Sequence, residues 1–155
     1  MTIAAKDISY MHCDCLQPGC EYCDSDGSRT EHQEEALRLS MMTHYVAGFL
    51  FSEDLQRVAL IKKTKPEWQK GLLNGIGGKV DTGEEFSEAM YREFIEETGV
   101  TVDNWRYFCT TKGQYYEVRF YMAIGDVDAV KSTTAEQVVV IDVNNLTNVI
   151  SNLKW

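Results

Sequence analysis

Residues 78–100 read Gly78-Lys-Val-Asp-Thr-Gly-Glu84-Glu-Phe-Ser-Glu-Ala-Met-Tyr-Arg92-Glu93-Phe-Ile-Glu96-Glu97-Thr-Gly99-Val100. A glycine-bearing turn here feeds a helix. Thr82-x-x-Glu85 has the pattern of a capping box and Gly99 stands where a helix ends, so the spacing predicts a helix over about 84–98. Glu93, Glu96 and Glu97 stand at i, i+3 and i+4, which at about 100° per residue puts all three within roughly 100° of arc. Phe86, Met90, Glu93 and Glu97 form one line at i, i+4, i+7 and i+11, so the acids continue the apolar stripe and take up core positions.

Three carboxylates on a half-buried face repel one another, and burial raises their pKa values unless a cation compensates. Hard oxygen donors suit Mg2+ or Mn2+, and Mg2+ completes its octahedron with water and substrate phosphate. The turn before the helix can offer a backbone carbonyl to the same ion. Arg92 is placed to clamp a carboxylate or an incoming phosphate. An acidic helix is more often a solvated face, but these acids follow a glycine-rich turn, lie on the apolar stripe and are preceded by arginine.

The chain of 155 residues, 44% hydrophobic, is globular in composition and contains no apolar run long enough to span a bilayer. Its first residues lack the apolar core and clustered basic start of a signal peptide, so cytoplasmic residence is expected. A formal charge of -9 argues against binding duplex nucleic acid, which rests on cations that neutralise phosphates. Arg57, Lys62, Lys63, Lys65, Lys70 and Lys79 nevertheless gather before the acidic helix, where they can face a small phosphorylated ligand. Four of five cysteines crowd into the leader as Cys13, Cys15, Cys20 and Cys23. Cys20-x2-Cys23 has the spacing of a zinc half-site, so the four are read as candidate ligands of a structural Zn2+, the alternative being free thiols. Cys109 is read as a small core residue.

Residues 1–40 form a polar extension ending in a charged helical stretch, and 41–155 form one domain. Within it, 43–51 and 57–63 read as a hairpin, 102–111 and 115–125 as a second, 138–141 as a further strand, and 144–155 as a terminal amphipathic helix. Four glycines between 71 and 78 mark a segment where backbone approaches a ligand closely. Strands, a long helix, strands and a last helix predict an α+β fold with a mixed sheet.

The quoted stretch resembles the Nudix box, Gly-x5-Glu-x7-Arg-Glu-U-x-Glu-Glu-x-Gly-U with U apolar. Gly78, Glu84, Arg92, Glu93, Phe94, Glu96, Glu97, Gly99 and Val100 fill its defined positions, with Phe94 as the soft match. The resemblance implies an α/β/α sandwich with the sheet between helices, and a Mg2+-dependent hydrolase of nucleoside diphosphates linked to another group. It implies metal ligation by Gly77 through its carbonyl and by Glu93, Glu96 and Glu97, with Glu93 doubling as general base. It gives Arg92 the role of positioning Glu93 and Glu84 that of supporting loop and helix. A further acid from a later loop is expected, Glu136 first and Glu117 second.

The segment Leu73-Asn74-Gly75-Ile76-Gly77-Gly78-Lys79-Val80 is similar to the Trp-Asn-Gly-x-Gly-Gly-Lys of the MutT-like branch, which hydrolyses nucleoside triphosphates, oxidised purines included, to monophosphate and pyrophosphate. Asn74 matches an asparagine that contacts the base. Leu73 stands where tryptophan is common, so the base must stack elsewhere; Phe49, Phe51, Trp68 and Tyr121 are the candidates, each better explained by packing. Lys79 and Arg57 are expected to meet the phosphates. ADP-ribose, dinucleotides, dinucleoside polyphosphates and capped RNA ends are alternative substrates, and a silent nucleotide sensor is the rival from another class. The partner expected is a small nucleotide, bound by a monomer or homodimer.

Overall fold

The computed structural model describes residues 31–146. Cys13, Cys15, Cys20 and Cys23 lie outside the described residues, as does most of the expected terminal helix. The chain divides into two units, Met1–Met42 and Thr43–Trp155. In the first, helix α1 (Glu31–Ser40) carries Glu31 and Glu34 in its first turn and Arg38 in its last, the signs that suit the helix dipole. Arg38 forks onto Glu35 at 2.6 and 2.9 Å, and no residue of α1 is buried.

The second unit is built on a six-stranded mixed sheet: β1 (Thr43–Phe51), β2 (Arg57–Lys62), β3 (Leu73–Asn74), β4 (Arg106–Lys112), β5 (Tyr116–Ile124) and β6 (Gln137–Asp142). β1 runs parallel to β5 from Thr43↔Tyr116 to Phe51↔Ile124, and β4 and β5 form the expected second hairpin. β2 pairs antiparallel with β6 along its whole length and with β3 at its end.

The first hairpin is present but splayed, with β1 and β2 in register only at Leu50↔Ala59 and Phe51↔Val58. A strand edge must satisfy its backbone groups, and below Leu50 the edge of β1 takes up the glycine segment instead. Val46 N–H donates to Gly78 O at 2.9 Å, Gly48 N–H to Ile76 O at 2.7 Å, and Val80 N–H to His44 O at 2.9 Å. The wedge between β1 and β2 holds the candidate site.

Alternation along the strands sorts side chains onto two faces. On one, Ala89, Met90 and Phe94 of helix α2 (Phe86–Thr98) pack on Val46, Leu50, Ile61, Tyr121 and Ala123. Met90 and Phe94 are fully buried, each a contribution of about 2 kcal/mol. On the other face Val58, Leu60 and Leu73 pack with Phe49, Phe51, Val139 and Ile141. Cys109, on edge strand β4, is half-buried and not in the core.

α2 begins two residues later than its sequence spacing suggests. Its N-cap is Glu85, not Thr82, and the capping box is completed by Glu88, whose carboxylate accepts from Glu85 N–H at 3.1 Å. The reason is the turn at Gly83, which has a φ of 82° and closes with Glu84 N–H donating to Asp81 O. That turn consumes the residues a Thr82 cap would need. Gly99 ends the helix in the left-handed region at φ 70° as expected.

Candidate active site

The acidic turn of α2 is organised by one guanidinium. Arg92 donates from Nε and Nη2 to the two oxygens of Glu84 at 2.8 and 2.9 Å, a bidentate pair, and from Nη1 to Glu93 at 2.9 Å. The same Nη1 lies 3.4 Å from Glu96, and Nη2 also donates to Lys79 O at 3.1 Å. With Asp81 at 3.8 Å, four carboxylates stand within salt-bridge reach of this single cation. The Arg92 fork holds Glu84 down at about 2. Glu93 is shifted upward: its burial is the main cause, Arg92 opposes it, and the charges of Glu96 and Glu97 add to it.

The expected stripe of Phe86, Met90, Glu93 and Glu97 is buried or half-buried throughout, with the Glu93 side chain 14% exposed, whereas Glu96, beside that line, is 56% exposed. Glu97 is half-buried and accepts from Thr134 Oγ1 at 2.6 Å.

Two adjacent glycines fit two different surfaces. A Cβ on Gly78 would stand 2.5 Å from the carboxylate of Glu93, while one on Gly77 would overlap the Val46 carbonyl. Because the carbonyls of Ile76 and Gly78 are bound to β1, that of Gly77 between them is turned away from this ladder.

Gly77 and Gly78 also line a cleft of about 520 Å3 on the sheet face opposite α2. One wall is strand, with Tyr45, Val118, Tyr116 and Phe120; the other is the loop after β2, with Lys63, Lys65, Pro66 and Trp68. Asn74 sits at its base, its Oδ1 accepting from Gly75 N–H at 2.8 Å, which leaves the NH2 as a donor for a ligand.

A NUDIX domain matches residues 42–155. The chain belongs to the NUDIX domain family. It is similar to the NAD-capped RNA hydrolase NudC of Vibrio cholerae serotype O1, 28% identical over 111 residues, a match covering 68% of this chain and 40% of NudC. It is also similar to the oxidized purine nucleoside triphosphate hydrolase of Danio rerio, 48% identical over 44 residues, 28% of each chain. The chain thus spans well under half the length of these curated relatives. Among solved structures, one from the comparison of MutT of Aliivibrio salmonicida and Vibrio cholerae superposes with a TM-score of 0.60 at 26% identity, covering 67% of this chain and 82% of that one. The NUDIX domain of Shewanella oneidensis NrtR, solved with ADP ribose, shares the fold at a TM-score of 0.59 and 20% identity, over 68% and 75% of the two chains.

NUDIX hydrolases work with divalent ions such as Mg2+. The donor chemistry here fits one: only hard oxygens are offered, from Glu93, Glu96, Glu97 and the outward Gly77 carbonyl, and the burial of Glu93 asks for positive charge beyond Arg92. The side chains do not converge as they stand, and among the described residues no three acidic, imidazole or thiol groups gather around one point. Arg92 draws Glu93 and Glu96 to one side, and Thr134 holds Glu97.

Other residues singled out in the sequence lie elsewhere. Arg57 is at the far end of β2 from the cleft, forked onto Asp128 at 2.6 and 3.0 Å, so it is not available to phosphate at this NUDIX site. The Lys79 side chain is exposed and outside the cleft; the residue serves through its carbonyl on Arg92. Glu136 accepts from Lys63 Nζ at 2.6 Å and from Thr64 N–H at 2.8 Å, with no acid of α2 among its partners. Glu117 pairs with Arg119 and Lys112 on the α2 face, where Arg119 lies over the Phe86 ring. Of the stacking candidates only Trp68, 66% exposed, lines the cleft; Phe49 and Phe51 pack under the second face and Tyr121 is core. Tyr45 and Tyr116 escaped the sequence reading, although strict alternation along two paired strands places both on one face with Ala47 and Val118.

Proposed function

We propose that this NUDIX chain is a divalent-metal-dependent pyrophosphohydrolase cleaving nucleoside diphosphates linked to a further group, with a (deoxy)nucleoside triphosphate, converted to monophosphate and pyrophosphate, as its foremost substrate. The observation that carries this is the position of Gly78, which lines the cleft and at the same time lies against the carboxylate of Glu93. A nucleotide in the cleft would extend its phosphates past Gly78 to reach the acidic turn, whose carboxylates stand outside the cleft lining.

Trp68 and Tyr116 offer flat faces to a base, Asn74 a donor to its edge, and Lys63 and Lys65 positive charge to phosphate. A divalent ion held by Glu93, Glu96, Glu97 and the Gly77 carbonyl would neutralise charge on the phosphoryl oxygens and acidify a water. Glu93 takes the proton from the attacking water. Its burial raises its proton affinity, while the hydrogen bond and charge of Arg92 oppose that shift and favour the ionised acceptor. The water oxygen bonds to phosphorus, the bridging P–O bond breaks in line, and pyrophosphate leaves. Glu84 fixes Arg92, and through it the aim of Glu93.

The test is a panel of canonical and oxidised nucleoside triphosphates, ADP-ribose, NAD and dinucleotides incubated with the full chain and Mg2+. Pyrophosphate and nucleoside monophosphate in equal amounts are expected from the triphosphates. Release of inorganic phosphate alone, or of nothing from any member, would overturn the reading. Glu97→Gln is expected to abolish turnover with an unchanged thermal melt, since its side chain's only hydrogen bond among the described residues is to the Thr134 hydroxyl.

A further inference from the structure

One segment holds both halves of the site. From 131 to 136 the chain crosses from the end of α2 to the mouth of the cleft, bonding at each. At the helix, Lys131 N–H donates to Thr98 O at 3.1 Å and Thr133 N–H to Glu97 O at 3.2 Å. The Thr133 hydroxyl binds Glu96 O, and the Thr134 hydroxyl binds the Glu97 carboxylate. At the cleft, Glu136 takes three donors: Lys63 Nζ at 2.6 Å, Thr64 N–H at 2.8 Å and Thr64 Oγ1 at 3.2 Å. The Lys63–Glu136 pair is largely sequestered, at 20% and 15% exposure. These are the first residues of the loop that carries Lys65 and Trp68 into the cleft.

We propose that Glu136 is a positioning residue for the nucleotide, acting through Lys63 and Thr64, and that residues 131–136 set the separation between the cleft loop and the acidic turn. The inference rests on the nucleotide reading above and departs from the role in metal binding that sequence resemblance suggests for this acid. The chemistry decides between the two. A carboxylate that already accepts from an ammonium, an amide and a hydroxyl has three of its roughly four acceptor sites taken and is aimed at Lys63 and Thr64, so turning to a cation on α2 would break that hold. Cutting the pair leaves a half-buried lysine uncompensated and frees the loop at its root, which loosens Trp68 and Lys65 together.

Two independent readouts test this in the full chain. In turnover, Glu136→Gln should raise the KM for the nucleotide by roughly tenfold, well beyond its effect on kcat, while the Mg2+ concentration for half-maximal rate stays put. Its effect should largely vanish in a Lys63→Met background, because residues acting through one contact are not additive. In binding, quenching of tryptophan fluorescence by nucleoside monophosphate, measured without metal, should weaken for Glu136→Gln by a similar factor. Trp68→Phe should remove the quench. A shifted Mg2+ requirement with unchanged KM and quenching would overturn the proposal and restore a ligand role. Full additivity with Lys63→Met would overturn it as well. If the wild-type chain quenches but turns nothing over, the pyrophosphohydrolase reading fails while this one stands. Should Glu136→Gln not fold, Glu136→Asp, which keeps the charge and shortens the reach, is read by the same measurements.

Discussion

At the residue scale the site turns on what two neighbouring glycines touch. A methyl on Gly78 meets first the carboxylate of Glu93, the end of a flexible side chain, whereas a methyl on Gly77 meets the backbone of β1. Gly78→Ala is therefore expected to fold with a melting temperature near wild type and to lose about a hundredfold in kcat, as a misplacement near 1 Å costs on that order. Gly77→Ala is expected to lower the melting temperature, because Val46 must move out of its ladder with Gly78. Equal behaviour of the two variants in paired melts and rate assays would contradict this division. The sequence shows both glycines as part of one motif; it does not show which surface each faces, since that depends on β1 and α2 arriving from opposite sides.

At the element scale, α2 was legible because its signals are local. Its apolar spacing, the acids at i, i+3 and i+4 and the glycine stop all act within a few turns. Its start was misread by the same logic: two overlapping cap patterns are present, and the turn at Gly83 selects the second. Gly99, at φ 70°, holds the other end. Gly99→Ala is expected to cost about 1 kcal/mol in urea unfolding through left-handed strain. An unchanged unfolding midpoint would mean that the end of α2 relaxes without penalty. The first hairpin shows the limit of local reading, since its connecting turn was visible but the exchange of partners along β1 was not. Which edge a strand prefers is a competition between distant segments, here residues 76–80 against β2.

At the scale of the whole molecule, the acidic charge becomes a pH dependence with two signs. Glu84, at about 2, and Glu117 and Glu136, also lowered, add stability that is present above the ordinary carboxylate range and is lost as pH falls through their native values. Glu93 is raised, so its charged form opposes folding, and that penalty is relieved as pH falls through its native value. In metal-free protein the melting temperature is expected to rise slightly as pH falls through the raised native value of Glu93 and to drop steeply below about 4.5. Glu93→Gln should flatten the rise and keep the drop; identical profiles would show that Glu93 carries no burial penalty. The sequence by itself determined the family, the α+β class, the acidic helix and the residues of its box, because these are written in short-range spacing and side-chain type. Only the tertiary structure decided that Arg57 belongs to Asp128, that Glu136 belongs to Lys63, and that Trp68 rather than Tyr121 faces the cleft. Each of those outcomes depends on which strand lies beside which. That is fixed by the joint burial of two sheet faces and by edge competition between segments far apart in the chain, which no single stretch of residues encodes.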